Sequence, residues 1–344
     1  MKITLIYNWS VRDDELLPVY LKNKGYEIDI IQNTDDGPRR YKKGYKIINF
    51  LQCYRMAKKA LDNSKDGDVI ISMCSTPGIF ASIFQKKKQS VKILAVNLLC
   101  DFSKDNFQSR LRNLFYTKAF KNKNLYSTCN TKRDFDTYYS KFDIQGKNRI
   151  FKLPDGIKVL KDIKRQKKNT DKITIFSAGA SARDWKTLSD LAKKMESVQF
   201  NIVARASDWS SEYNSPNINV FFNIPHEQYV EKLKNSDYVL IPLNSDVTAG
   251  VLVLFDAVNY GKIPLITKTP TTVEYISKDF EGILLTEMKN PRDIQNKLLN
   301  IMKMDDEEEN KIFQALYSYL YDNFSEESYS NNIIKIIESE EFVS

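Results

Sequence analysis

Apolar and polar positions in the first 155 residues follow two alternating periods. Short apolar runs of strand length alternate with longer stretches in which apolar residues recur at helical spacing. This alternation is typical of βαβ units on a parallel sheet. The predicted strands are KITLIYN, YEIDIIQ, DVIISMC, VKILAVNLL, LYSTCN and RIFKLP. The predicted helices cover Asp14–Lys24, Tyr45–Leu61, Pro77–Gln85, Asp105–Asn124 and Lys132–Phe142.

The same alternation restarts near residue 172. Its predicted strands are KITIFSAG, QFNIVARAS, NINVFFN, DYVLIPL, IPLITKT and EGILLT. Its predicted helices cover Asp184–Met195, Glu227–Asn235, a buried stretch of about three turns after Gly250, Thr272–Ile276, Pro291–Met302, Glu307–Asn323 and a last one from Ser325 towards Ile337. Two successive α/β halves predict two Rossmann-like domains facing a cleft, with parallel sheets flanked by helices and with C-terminal helices.

One stretch between the two halves reads as a linker. Pro154 and Gly156 are followed by KVLKDIKRQKKNTDK, which is polar, rich in lysine and without periodicity. The sequence therefore predicts a first Rossmann-like domain over residues 1–153, a linker over 154–171 and a second domain over 172–322. The C-terminal helix over 323–344 is predicted to return to the first domain.

Charge is distributed unevenly between the halves. The net charge is +8, yet residues 1–155 carry 29 Lys and Arg against 16 Asp and Glu, a balance of +13 that leaves −5 for the rest. Such asymmetry indicates that the first half meets an anionic partner, which nucleic acid, acidic lipid or a phosphorylated substrate would satisfy. Because no DNA- or RNA-binding module is recognisable, nucleic acid is not among the predicted partners.

Two basic segments of the first half have the composition of a membrane-surface contact. In DNFQSRLRNLFYTKAFKNK, one helical face combines apolar and basic residues, namely Phe107, Leu111, Leu114 and Phe115 with Arg110, Arg112, Lys118 and Lys121 around them. A shorter segment contains Arg39, Arg40, Lys42, Lys43 and Lys46. Such a helix either lies on an anionic bilayer or packs on its own sheet. We expect peripheral, salt-sensitive binding to anionic membranes through this half.

Several function classes are disfavoured by composition. Four cysteines lie in the first half without CxxC spacing, and His226 is the single histidine, so the sequence predicts neither a metal site nor a disulfide framework. No apolar run reaches the roughly 18 residues that span a bilayer, and MKITLIYNWS lacks the long apolar region of a signal peptide. We expect a cytoplasmic protein, associated at most peripherally with the inner face of the membrane.

The stretch NSDVTAGVLVLFDAVNYGKIPLI, over residues 244–266, carries the first candidate chemistry. Its helix begins just after Gly250, and a helix N-terminus offers unpaired N–H groups and a partial positive charge that suit a phosphate. A helix that merely starts at a glycine is the alternative. Asp256 lies inside this apolar helix, where a carboxylate must either accept hydrogen bonds from a ligand hydroxyl or pair internally. In GASAR, Arg183 can reach a diphosphate, with Lys186 one turn away.

These residues resemble a known family. SDYVLIPLNSDVTAGVLVLFDAVNYGKIPLIT is similar to the donor-site signature of GT-B glycosyltransferases of family 4, the group 1 type. The matching positions are Pro242, Gly250, Asp256-Ala257, Gly261 and Pro264. IFSAGASARDWKTLSDLA resembles the first strand and turn of the donor domain, and NRIFKLPDGI resembles the interdomain segment. The resemblance implies a hexosyltransferase-type enzyme that uses a nucleotide-diphosphate sugar, retains anomeric configuration and requires neither metal nor cofactor.

The resemblance also implies a distribution of site residues. The catalytic candidates are Arg183, Asp101 and Thr248. The donor-binding candidates are Gly179, Arg183, Lys186, Arg205, Thr248, Ala249, Gly250, Val251 and Asp256. The acceptor-side candidates are Asn8, Trp9, Ser75, Thr76 and Asn97. The chain departs from the family where Thr248 replaces the first Glu, where Asp256 replaces the second, and where YNWSVRDD lacks a Gly-rich acceptor loop.

The predicted partners are therefore a nucleotide sugar and a glycan or lipid-linked acceptor of cell-surface polysaccharide or glycoconjugate synthesis. Two alternatives share the same architecture. A non-catalytic protein would bind the nucleotide sugar or the glycan without turnover, and a sugar-nucleotide epimerase would interconvert the donor without an acceptor. Detection of transfer to an acceptor separates the three.

Overall fold

A computed structural model describes residues 1–34, 45–98, 100, 107–142, 149–168, 172–246 and 249–343. The chain divides into two compact units. Unit 1 comprises Met1–Gly156 together with Glu326–Ser344, and unit 2 comprises Ile157–Ser325.

Unit 1 contains a six-stranded parallel sheet of order β2-β1-β3-β4-β5-β6. Its strands are β1 Lys2–Tyr7, β2 Glu27–Gln32, β3 Val69–Ser72, β4 Lys92–Ala95, β5 Leu125–Cys129 and β6 Ile150–Lys152. The helices between them are α1 Leu16–Asn23, α2 Tyr45–Asp62, α3 Ser75–Phe84, α4 Phe107–Phe120 and α5 Lys132–Lys141. The strand order reverses direction between β1 and β3, because β2 lies on one side of β1 and every later strand on the other.

The sheet of unit 1 is covered on both faces. Successive residues of a strand point to opposite faces, so Leu5 and Tyr7 of β1 belong to one apolar cluster and Ile6 to another. Helices α2 to α5 pack on the Ile6 side. On the other side lie α1 and the C-terminal helices α12 Glu326–Glu338 and α13 Glu340–Val343. Burial on both faces explains why these strands read as nearly continuous apolar runs.

Unit 2 contains a second six-stranded parallel sheet, of order β12-β11-β10-β7-β8-β9. Its strands are β7 Thr174–Ala178, β8 Gln199–Ala204, β9 Ile218–Phe222, β10 Tyr238–Ile241, β11 Ile263–Thr267 and β12 Leu285–Thr286. Its α-helices are α6 Trp185–Ala192, α7 His226–Lys234, α8 Val251–Asn259, α9 Glu281–Leu284, α10 Pro291–Met302 and α11 Asp306–Phe324. One apolar cluster joins this sheet to its helices.

The predicted fold class is confirmed: both halves form parallel sheets flanked by helices. The prediction of a strand over EGILLT is wrong in part, because Glu281–Leu284 form a short helix and only Leu285–Thr286 pair with β11. His226 is the first residue of α7 rather than the residue before it. No helix in the described part of the chain is long and apolar enough to cross a membrane.

Candidate active site

Two loops of unit 2 meet where its strand order reverses. β7 continues to β8 and β9 on one side, whereas β10 continues to β11 and β12 on the other. The loops leave the carboxyl ends of β7 and β10, and backbone hydrogen bonds of 3.0 Å join them, from Asp184 to Pro242 and from Asn244 to Ala182. Ligands of open α/β sheets bind at such a switch point. This position therefore defines the candidate site of unit 2.

Arg183 folds back onto the turn that follows β7. Its Nε donates to the carbonyl of Ala178 at 2.6 Å and its Nη1 to that of Ser181 at 3.1 Å. Burial lowers the pKa of this guanidinium to about 10, so it stays charged at neutral pH. A Cβ at Gly179 would lie 2.3 Å from Nη2 of Arg183, and Gly179 has φ +128°. Glycine is therefore required both for the turn and for the room that the guanidinium occupies.

A cavity of about 370 Å³ lies beside this turn. Its lining consists of Ala180, Ala182, Arg183, Asp184, Trp185, Lys186, Asp208, Tyr213 and Asn244. Trp185 is 3% exposed, and its indole Nε1 has no hydrogen-bond partner among the described residues. Lys186 is exposed and pairs with Asp190 at 2.8 Å. The lining thus combines a buried cation and an N–H donor, which suit an anionic ligand, with the carboxylates of Asp184 and Asp208.

The N-terminus of α8 is bare backbone. Gly250 is its N-cap with φ +86°, and no described side chain caps the helix. A Cβ on Gly250 would lie 3.0 Å from Cγ2 of Ile241, so the backbone sits close to the sheet. Ala249 and Val251 beside it are buried. The predicted phosphate position therefore has its N–H groups in place, while Thr248 lies outside the described residues.

Asp256 pairs internally in this structure. The hydroxyl of Tyr229 donates to its Oδ2 at 2.7 Å, and the ring of His226 stacks on Tyr229 with centroids 5.8 Å apart. Burial raises the pKa of Asp256, while the Tyr229 hydrogen bond and His226 act in the opposite direction. In the described part of the chain, Oδ1 accepts no hydrogen bond. That oxygen is the one available to a ligand hydroxyl.

Replacing Asp256 with Asn is expected to raise the melting temperature at pH 7. Burial raises the folded-state pKa of Asp256 above the ordinary 3.8, so the folded protein is more stable when this carboxyl is protonated. That stability is fully present below pH 3.8 and is lost as the pH rises through the folded-state pKa. Partial exposure screens the effect, and we expect about 1–2 °C. Scanning calorimetry from pH 3 to 8 checks this. A gain that persists below pH 3.8 would contradict the electrostatic cause.

Unit 1 has a cavity of its own, of about 350 Å³, at the switch point beside β1, β3 and β4. It is lined by Trp9, Arg12, Glu15, Leu16, Met73, Asn97, Asp155, Gly156, Glu326, Tyr329 and Ser330. Two predicted acceptor-side residues, Trp9 and Asn97, thus line one cavity. An aromatic ring together with amide and carboxylate groups is a composition that suits a polyhydroxylated ligand.

Asp155 is the best-supported polar group of this cavity. Asn97 Nδ2 donates to its Oδ1 at 3.0 Å, and Asn130 Nδ2 donates to its Oδ2 at 2.7 Å. Burial raises the pKa of Asp155, whereas the Asn130 hydrogen bond lowers it. The Oδ1 atoms of both asparagines are buried and accept no hydrogen bond from any residue that the structure describes. Asn97 adopts a left-handed conformation at φ +60°, which asparagine tolerates better than most residues other than glycine.

The other predicted site residues lie elsewhere. Asn8 donates to Asn49 of α2 at 2.8 Å. Ser75 and Thr76 form the first turn of α3, and neither lines the cavity. Arg205 is exposed just after β8 and does not line the cavity of unit 2. Asp101 and the basic segment before Tyr45, with Arg39, Arg40, Lys42 and Lys43, lie outside the described residues, as does the side chain of Lys46.

Sequence reasoning did not single out Asp155, Trp185 or Tyr229. Asp155 and Trp185 lie inside two segments that resemble the family, NRIFKLPDGI and IFSAGASARDWKTLSDLA. Their positions in these segments could therefore have identified them as candidates. Tyr229 had no such signal, because it and Asp256 lie 27 residues apart in the chain, on different helices.

Solved structures with the same fold extend along nearly the whole chain. A glycosyltransferase from Rickettsia africae ESF-5 has a TM-score of 0.64 at 13% identity, with 97% of each chain covered. An α,α-trehalose-phosphate synthase (UDP-forming) from Burkholderia vietnamiensis has a TM-score of 0.68 at 10% identity, with 98% of each chain covered. A structure from E. coli, described as bound with UDP-2-fluoro glucose, has a TM-score of 0.66 at 10% identity, covering 98% of this chain and 99% of that one.

These likenesses define the class of the protein, which has the GT-B fold. The sequence of unit 2 gives a second likeness: residues 157–319 match the family described as Glycosyl transferases group 1. Unit 2 therefore resembles the group 1 glycosyltransferases along nearly its whole length. The matched residues include both switch-point loops and α8. No curated protein matches the chain.

Proposed function

We propose that the protein transfers a sugar from a nucleotide-diphosphate sugar, held by unit 2, to a glycan or lipid-linked acceptor. The observation that carries this proposal is the arrangement at the unit 2 switch point. There the charged Arg183 is buried against the turn at Gly179, beside a cavity and a Trp185 N–H that has no partner in the described part of the chain. A diphosphate is the ligand whose charge and oxygen acceptors match these donors.

Sugar transfer develops negative charge on the leaving diphosphate, which this site would bind. The bond between C1 of the sugar and the diphosphate oxygen breaks, and its electron pair leaves with the diphosphate. The acceptor oxygen bonds to C1, and its proton passes to an oxygen of the departing diphosphate. Arg183, Trp185 Nε1 and the N–H groups of α8 stabilise the negative charge that develops on the leaving diphosphate. Asp256 Oδ1 is free to accept a ribose hydroxyl.

We place the acceptor in the cavity of unit 1 and propose that its hydroxyls bind near Asp155. In this proposal the protein works in the cytoplasm on precursors of a cell-surface polysaccharide or glycoconjugate, retains anomeric configuration, and needs neither metal nor cofactor. The resemblance to group 1 enzymes supports retention, and the charge of Arg183 supports metal independence.

Replacing Asp155 with Asn is expected to raise KM for the acceptor about tenfold, the cost of one good hydrogen bond. An amide at this position would face the amide donors of Asn97 and Asn130, so at least one of these contacts is lost. Affinity for the donor should stay unchanged because Asp155 belongs to unit 1. Steady-state kinetics in both substrates check this, with Asp13→Asn at an exposed aspartate as matched control. Equal KM values for both variants would contradict the role.

The activity itself is tested with a panel of nucleotide sugars. The donor is first identified by the rise in melting temperature that it causes, since a ligand that binds only the folded state stabilises it. Release of nucleoside diphosphate is then measured with and without extracted glycan and lipid acceptors. Acceptor-dependent release supports transfer, and NMR of the product gives its anomeric configuration. Interconversion of the donor without an acceptor would show an epimerase, and binding without any turnover would show a non-catalytic protein.

A further inference from the structure

One face of unit 1 exposes many large apolar side chains. Of fifteen that are exposed in the described residues, seven belong to three helices, α2, α3 and α4. They are Ile47, Ile48, Phe50, Leu51, Phe84, Leu111 and Leu114, and Ile47 and Leu114 are 69% and 66% exposed. Single exposed apolar residues need no explanation, but a cluster of this size marks an interaction surface.

Ring contacts link the three helices that carry these exposed side chains. The ring of Phe50 on α2 lies 6.2 Å from that of Phe115 on α4, and both contact Phe80 of α3. At the other end, Tyr54 contacts Phe84 with centroids 5.1 Å apart. Aromatic contacts therefore join the outer faces of α2 and α4 across α3. We call the seven exposed residues and these linking rings the α2–α4 apolar face.

The charge on these helices has one sign. The sequences of α2, α3 and α4 contain seven Lys and Arg and a single acidic residue, Asp62. Arg55 and Lys58 follow Leu51 by one and two turns, and Lys118 follows Leu114 by one turn; all three are exposed. Whatever covers this face must therefore offer both apolar surface and negative charge.

We propose that the α2–α4 apolar face docks on an anionic lipid bilayer, with Ile47, Leu51 and Leu114 entering the region below the headgroups. Helices with an apolar side and flanking cations lie in this way in the plane of a membrane. A second copy of the chain fits less well, because pairing identical faces would bring their cations together. The inference does not rest on the proposed transfer, since docking needs no nucleotide sugar.

A triple variant, Ile47→Gln with Leu51→Gln and Leu114→Gln, tests the proposal. All three positions are exposed, so the fold should survive, and melting temperature checks it. Flotation uses vesicles of phosphatidylcholine alone and with 30 mol% phosphatidylglycerol, roughly the anionic content that attracts basic surfaces. We expect the wild type to bind the anionic vesicles. The affinity of the variant should be about a hundredfold lower, because three aliphatic side chains no longer enter a partly apolar environment.

The matched control carries glutamine at three exposed apolar residues outside the face, Val19, Leu299 and Val343. It should bind like the wild type. Three outcomes would overturn the proposal: no wild-type binding to anionic vesicles, equal loss in both triple variants, or unchanged binding of the first. So would a lipid-free dimer in sedimentation velocity that the first variant converts to monomer, because the face would then be a protein interface.

Insertion is measured separately with a tryptophan introduced on the face. Leu114→Trp should give blue-shifted emission on anionic vesicles and be quenched by lipids brominated in the acyl chain. Leu299→Trp, on α10 of unit 2, is the matched control and should show neither change. Unshifted, unquenched emission from Leu114→Trp on bound protein would also overturn the proposal, because binding would then rest on charge alone.

Discussion

The Arg183→Ala variant should lose most of its transferase activity, with kcat/KM lower by about a hundredfold to a thousandfold, the usual cost of removing a group that stabilises developing negative charge. Arg183 as a residue is 8% exposed, and it lines the cavity of unit 2. Affinity for nucleoside diphosphate, measured by calorimetry, should fall about tenfold or more, as for a charge-assisted hydrogen bond.

Two further variants separate the charge of Arg183 from its packing. Arg183→Lys keeps a cation but loses the fork that reaches Ala178 and Ser181 together, so we expect partial activity. Gly179→Ala keeps the arginine but places a methyl group 2.3 Å from Nη2, which displaces the guanidinium and should mimic Arg183→Ala. Arg292→Ala, at an exposed arginine of α10, is the control. Unchanged affinity of Arg183→Ala for every nucleoside diphosphate would contradict the proposed donor site.

Much of the fold could be predicted because it depends on periodicity. Strands buried on both faces must be apolar throughout, and the helices that cover them must repeat near 3.6 residues, so β10, α8 and β11 were predicted from the sequence. The exception at Glu281–Leu284 has the same origin. Four residues are too few to separate a helical turn from a strand by period.

The candidate site was predictable only where it is local. Gly250 and Arg183 could be predicted because each lies between the end of a predicted strand and the start of a predicted helix. The Tyr229–Asp256 hydrogen bond and the lining of the unit 1 cavity are not local, since the cavity brings Tyr329 near Trp9. Periodicity indicates which face of an element is buried, but it does not indicate which other element packs against that face.

Charged residues illustrate the same limit. Arg165 and Lys168 stand in a lysine-rich stretch that reads as solvated, yet the side chain of Arg165 is only 5% exposed. Its Nη1 lies 2.7 Å from Oε2 of Glu309, and Lys168 Nζ lies 2.8 Å from Oε1. The hydroxyl of Tyr238 donates to the same Oε1 at 2.7 Å. Glu309 is fully buried, so it binds the segment before β7 to α11 and to the sheet.

The Glu309→Ala variant should therefore lose about 3–5 kcal/mol of unit 2 stability, because Lys168 loses its carboxylate and the buried Arg165 keeps only the more exposed Asp306. Glu307→Ala, two residues earlier on the same helix and exposed, should cost less than about 0.5 kcal/mol. Urea unfolding followed by tryptophan fluorescence in a Trp9→Phe background measures this, since Trp185 and Trp209 then report on unit 2 alone. Tyr238→Phe should cost about 1 kcal/mol, the value of one hydrogen bond. Equal midpoints for Glu309→Ala and Glu307→Ala would show that the buried charges find other partners.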